Sequence, residues 1–139
     1  MMNRYTLYRF LFPFRYRLQD RLERERRHVK LQQFANELGD TRAVDKIGSI
    51  LWDLLREKAF VEDFRPSADD NLANVFAMGP EEVRDDLVEP LIEGLDLDVS
   101  SISFKDFDFD TLRTPKDVAN FICTLRGVIR TNGALEVQQ

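Results

Sequence analysis

The residues able to do chemistry are few in this chain and far apart. It holds one histidine, His28, and one cysteine, Cys123. Zinc centres and nucleophile–base catalysis need several such groups converging, so most hydrolytic and zinc mechanisms lack parts. His28 lies in the charged run Arg21-Leu-Glu-Arg-Glu-Arg-Arg-His28 with no metal-ligand spacing around it, which points to a surface or capping role. Cys123 falls inside a helical pattern and reads as a packed thiol. The densest carboxylate cluster is Asp106-Phe-Asp-Phe-Asp110, with Asp117 eleven residues after Asp106. Alternating aspartates open a calcium loop, but that loop needs glycine at its sixth position and a bidentate glutamate at its twelfth. Thr111 and Asp117 stand there instead, and Pro115 intrudes. The expectation is therefore no metal and no catalytic residue: Phe104, Phe107 and Phe109 anchor a short turn while the aspartates stay in water.

A second acidic group carries more information. Glu81, Glu82, Asp85, Asp86, Glu89 and Glu93 lie on one segment that starts at Gly79-Pro80, with proline at the first helical position and acids in the first turn, where the helix dipole favours them. Val83, Leu87, Val88, Leu91, Ile92 and Leu95 supply its apolar stripe. Pro90 cannot donate a backbone hydrogen bond and crowds the preceding turn, so the helix should kink or restart near Glu89. The six acids form a candidate docking face for a basic partner; the same acids would also serve simply to solvate the helix.

The elements around this segment follow from spacing. Tyr8, Phe10, Phe12, Phe14 and Tyr16 alternate with Arg9, Leu11, Pro13 and Arg15. Period two predicts an extended arm with one aromatic face. A helix is predicted from Arg17 to Leu38, with Gly39 just past its end and an i,i+4 pair between Glu23 and Arg27. Asp40 reads as the N-cap of a helix through Val44, Ile47, Leu51, Leu54 and Leu55 to Lys58, with Trp52 beside the stripe, placed to plug the bundle or meet the N-terminal helix. Phe60 to Pro66 is an irregular connection. Asp69 or Asp70 is expected to cap a short helix through Leu72, Val75 and Phe76. Asp96 to Ser100 is an extended step with Leu97 and Val99 inward. Thr114-Pro-Lys-Asp117 is a capping box that opens a helix through Val118, Phe121, Ile122, Leu125 and Ile129, and the tail is expected to fray after Thr131.

From Gly79 to Ile122 this order resembles the C-terminal half of an acyl carrier protein: a charged second helix, a short extended step, a small third helix and a capped fourth. The resemblance covers roughly residues 43–130 and is strongest over Val83–Ile122. It implies an all-α, acyl-carrier-like helical bundle over residues 41–130, preceded by a basic arm and helix at 1–40 and followed by a flexible tail at 131–139. Carriers attach phosphopantetheine to the serine of an Asp-Ser-Leu motif at the start of the second helix. Here Gly79-Pro80-Glu81-Glu82-Val83 occupies that place, so the resemblance is to a bacterial branch without the attachment serine, and no cofactor is expected. A second register rests on Phe60-Val-Glu-Asp-Phe64, which resembles the Phe-Val-Glu-Asp-Leu before the attachment motif in many carriers, and nominates Ser67, though no leucine follows it. Carriers present the second helix to basic patches on their enzymes, which implies a protein partner for Glu81, Glu82, Asp85, Asp86, Glu89 and Glu93.

Composition sets the outer bounds. A 43% apolar content in 139 residues is enough for a real core, in one domain. The single cysteine and the shortness of the longest uncharged apolar run, Phe10 to Phe14, make a cytoplasmic protein the expectation. The net charge of −5 is unevenly shared: residues 1–30 hold nine Arg or Lys against three acids, a balance of +6, and the remaining 109 residues stand at −11. An acidic body with a basic arm can fold the arm onto itself, pair as a homodimer through the arm, or offer two faces to two partners. Glu23 and Glu25 interrupt the arginines, which weighs against nucleic acid. The overall expectation is a non-enzymatic interaction module without a prosthetic group. Its rivals are a genuine phosphopantetheine carrier using Ser67, and a membrane or nucleic-acid adaptor acting through Arg9, Arg15 and the arm aromatics.

Overall fold

The computed structural model describes residues 3–39 and 44–138, with the backbone alone for 44–45 and 130–138. Every regular element among the described residues is helical. In order they are α1 (Arg4–Leu11), α2 (Pro13–Glu25), α3 (Leu31–Glu37), α4 (Val44–Lys58), α5 (Leu72–Phe76), α6 (Pro80–Val83), a π turn (Arg84–Val88), α7 (Glu89–Gly94), a 3-10 turn (Phe109–Thr111) and α8 (Pro115–Gln138). The all-α bundle expected from the sequence is what forms. The N-cap assigned to Asp40 lies outside the described residues.

The core gathers on α4. Its Ile47, Leu51 and Leu55 are fully buried and share one cluster with Phe34 and Leu38, Leu87 and Leu91, and Val118 and Ile122. Each such side chain contributes about 1.5–3 kcal/mol by leaving water. Trp52 meets the N-terminal region, with its ring 5.4 Å from that of Phe34. The α3–α4 crossing is close: a Cβ on Gly48 would lie 2.7 Å from the Cβ of Ala35, so only glycine fits there. α8 and α7 both pack on α4, closing the bundle.

The N-terminal region differs from its sequence reading in several ways. Residues 4–11 and 13–25 are helical, not extended. Asn3 caps α1 by accepting from the Thr6 amide at 2.9 Å, and Pro13 starts α2 as a first-turn proline after a break at Phe12. The aromatic alternation misled because i, i+4 pairs also repeat every second parity step. Tyr8 and Phe12 face Phe60, at ring separations of 5.3 and 5.2 Å, while Phe10 and Phe14 face solvent. The helix predicted from Arg17 to Leu38 breaks after Glu25 and resumes at Leu31.

The break lets α2 send polar groups into the body. Gln19 is fully buried; its amide nitrogen donates to the Val75 carbonyl at 2.7 Å, and its oxygen accepts from the Phe60 and Val61 amides at 2.7 and 3.2 Å. Glu23 accepts from the Arg65 amide at 2.8 Å and pairs with the Arg65 guanidinium, replacing the Glu23–Arg27 pair expected on an exposed face. Arg26 forks onto Asp70, with one nitrogen at 2.8 Å, and donates to the Arg65 carbonyl at 3.0 Å. Neither Asp69 nor Asp70 therefore caps α5. Asn71 takes that role, accepting from the Asn74 amide at 2.9 Å.

Toward the C-terminus the reading holds more closely. Thr114 and Asp117 exchange side-chain-to-amide bonds at 3.1 and 3.2 Å, a reciprocal capping box. The backbone of α8 continues to Gln138, past the Thr131 at which the sequence reading ends it. Of the core expected from spacing, Leu51, Leu55, Leu87, Leu91 and Ile122 are fully buried, and Phe107 and Phe121 pack against it half-buried.

Candidate functional site

The helix predicted from Pro80 to Leu95 is interrupted where Pro90 requires it. The Glu89 amide reaches back five residues to the Arg84 carbonyl, giving a π turn, and α7 begins at Glu89. A widened turn suits a proline, which cannot donate to the carbonyl four residues back and whose ring would crowd it in a regular helix. The helix then ends in a Schellman motif. The Leu97 amide donates to the Ile92 carbonyl at 3.0 Å, the Asp96 amide donates to Glu93 at 3.1 Å, and Asp96 takes the left-handed conformation at φ 54°. That reversal sends Leu97 and Val99 back along α7.

Opposite α7 stands the Phe-rich loop. Phe107 packs on Phe109 and Phe121 with ring separations of 4.8 and 4.6 Å, and Phe104 closes on Phe121 at 6.2 Å. Edge-on and tilted pairs of this kind stabilise by about 0.5–1.5 kcal/mol each beyond area burial. Asp108 accepts from the Asp110 amide at 3.0 Å and starts the 3-10 turn. Asp106, Asp108 and Asp110 point to water, as expected. Asp98 accepts from the Ser100 hydroxyl at 2.7 Å and from its amide at 3.1 Å. These two bonds, the hydroxyl first, hold the Asp98 carboxyl below its ordinary value.

Between α7 and this loop lies a groove of about 780 Å³, within the range of ligand sites. Its apolar surface comes from Val88, Ile92, Leu97, Val99 and the three loop phenylalanines. Glu89, Glu93 and Asp96 stand on its rim with Arg84 and Lys105. Arg84 is already engaged by Asp85 at 2.8 Å, and this contact raises its pKa further. The rim is therefore acidic in effect.

The structure divides the six acids proposed as one docking face. Glu89 and Glu93 line the groove. Asp85 pairs with Arg84, and Asp86 stands 3.8 Å from Lys58. Glu81 and Glu82 are exposed on the first turn of α6, away from the groove lining. Asp96 was missed as a rim residue because the sequence reading assigned it to a strand-like step; the positive φ that turns it outward has no signal in an Asp-Leu-Asp run.

Ser67 sits in the connection before α5, not at a helix start. Its amide donates to Asp70 at 2.9 Å, and its hydroxyl accepts weakly from the Asp69 amide at 3.4 Å. No group of three or more His, Cys, Asp or Glu side chains among the described residues is placed to hold a metal ion. No described helix is long and apolar enough to cross a membrane.

Fold and site together define a helical bundle with an acid-rimmed apolar groove. Comparison with protein-family models, curated proteins and solved structures finds no match for the chain.

Proposed function

We propose that this protein is a non-catalytic interaction module, carrier-like in layout and without a prosthetic group, that docks a basic amphipathic segment of a protein partner. The observation that carries the proposal is the groove: an apolar floor wide enough for aromatic or aliphatic anchors, bounded by Glu89, Glu93 and Asp96. Anchors entering the floor supply affinity, and cations meeting the rim supply orientation and a fast encounter. The working face is the α7 end of the second helix, not its whole acidic length. The π turn at its base fits this reading, since such turns gather at functional positions.

The test uses a labelled synthetic helix carrying leucine and phenylalanine at i, i+3, i+4 and i+7 with lysine on the flanks. It should bind the protein with an affinity that falls as salt rises, and Glu89→Lys with Glu93→Lys should weaken binding by at least tenfold. Equal binding of a glutamate-flanked version, or an unchanged affinity in the double variant, overturns the proposal. The rival carrier reading is tested by intact mass after co-expression with a broad-specificity phosphopantetheinyl transferase. A mass gain equal to phosphopantetheine, abolished by Ser67→Ala, would replace an interaction module with a working carrier.

A further inference from the structure

The groove's complement lies on this chain's own surface. Most of the exposed large apolar side chains among the described residues fall between positions 7 and 14. Leu7, Phe10 and Leu11 lie exposed on α1 and Phe14 lies exposed in the first turn of α2, just past the break at Phe12; Phe10 and Phe14 are 70% and 81% exposed. Large apolar side chains this exposed, gathered at one end of the chain, mark an interaction surface. Arg9, Arg17 and Arg21 flank it, exposed and with no acid in salt-bridge range among the described residues. The N-terminal tip thus offers apolar anchors beside cations, the pattern proposed above for the groove's ligand.

We infer that the groove of one copy receives the N-terminal arm of a second copy, a deduction that rests on the docking role proposed for that groove. Phe10 and Phe14 enter the apolar floor, and the flanking arginines meet Glu89, Glu93 and Asp96. The arm cannot serve its own groove. α2 is fastened to the body by Gln19, Glu23 and Arg26, and Tyr8 and Phe12 are seated on Phe60, so the tip has no freedom to swing. A second copy fits the charge pattern better than an anionic membrane does. The match is local: Arg9, Arg17 and Arg21 beside Phe10 and Phe14 face fixed carboxylates, Glu89, Glu93 and Asp96, that border an apolar floor on another copy. The contact joins two different patches, so each copy keeps one arm and one groove, and association either closes on itself or extends.

That asymmetry gives a decisive experiment. Phe10→Ser with Phe14→Ser removes the arm anchors at positions that face water, and Glu89→Lys with Glu93→Lys reverses the exposed rim. Circular dichroism first confirms that both variants keep the wild-type fold. By light scattering, the wild-type mass should rise above the 16.3 kDa chain with concentration and fall back in high salt. Each variant alone should stay at the single-chain mass. Mixed in equal amounts they should form a complex of twice that mass, because one still has a groove and the other still has an arm. A wild-type protein that stays monomeric up to its solubility limit overturns the inference. So does a mixture of variants that fails to pair. If the monomer instead binds phosphatidylserine vesicles through Phe10 and Phe14, the arm is a membrane element and the inference is again wrong. Should the synthetic basic helix bind the groove while the wild type remains monomeric, self-association falls and the docking function stands.

Discussion

Replacing Gln19 by leucine tests whether the N-terminal helix is part of the folded body. The side chain is fully buried and serves as donor to the Val75 carbonyl and acceptor for the Phe60 and Val61 amides. Leucine has similar bulk and helix propensity, so the change isolates the polar contacts. Stranding a buried polar group costs about 1–3 kcal/mol, and carbonyls suffer less than amides because they hold two lone pairs. The lower half of that range for each of the three groups, reduced by roughly 1 kcal/mol for the added apolar burial, leaves a net loss of about 2–5 kcal/mol. Against a typical domain stability of about 5–15 kcal/mol this is large. Urea unfolding can follow it through Trp52, the single tryptophan, which is buried against Phe34. The midpoint should fall with the slope unchanged. Gln33→Leu, at an exposed position, is the control and should stay within about 0.5 kcal/mol of wild type. A loss below about 1 kcal/mol would refute the reasoning, since relaxation would then have re-satisfied the groups that Gln19 is held to serve.

Two further expectations concern single positions. Ala77 ends α5 in the left-handed region at φ 55°, so Ala77→Gly should raise stability by about 0.5 kcal/mol, the relief of strain exceeding the added freedom of the unfolded chain, while Ala77→Val should lower it; thermal unfolding of both variants checks the order. Ser100→Ala removes the hydroxyl that does most to lower the Asp98 pKa, so the carboxyl carbon should titrate at higher pH by NMR. The sign of the linkage follows: a depressed folded pKa contributes stability above the unfolded value near 3.9, and that contribution is lost as pH falls through the folded value, so the variant should show a weaker dependence in that acid window.

Spacing read from the sequence was most reliable where one helical face carried all the apolar residues. The stripes of α4 and α8, the Thr114–Asp117 box and the phenylalanine-anchored loop formed as expected, because each depends on contacts within a few residues. The arm failed because nine alternating residues satisfy period two and, taken at every fourth position, a helix as well. Tertiary contacts decided between them: Tyr8 and Phe12 found Phe60, a residue whose proximity no local pattern announces. The polar clamp was hidden for the same reason. Gln19, Glu23 and Arg26 look like ordinary members of a solvated charged run, and their partners at 60, 61, 65, 70 and 75 lie some forty to fifty-six residues away.

The groove itself traces to one residue. In sequence, Glu81, Asp85, Glu89 and Glu93 form an unbroken i, i+4 stripe and suggest one continuous acidic face. Pro90 withdraws a backbone donor in the middle of that stripe, and the chain answers with the π turn at Arg84–Val88. A π turn inserts about one extra residue, which rotates everything after it by roughly 100° around the helix axis. The rotation lets adjacent Leu87 and Val88 both turn inward, and Glu89 and Glu93 stand on the groove rim with Ile92 and the phenylalanine loop. The proline that looks like a defect in a helix is thus the residue that converts a uniform solvated face into two surfaces. On one, Asp85 and Asp86 are paired with Arg84 and Lys58, and on the other Glu89 and Glu93 stand beside an apolar groove.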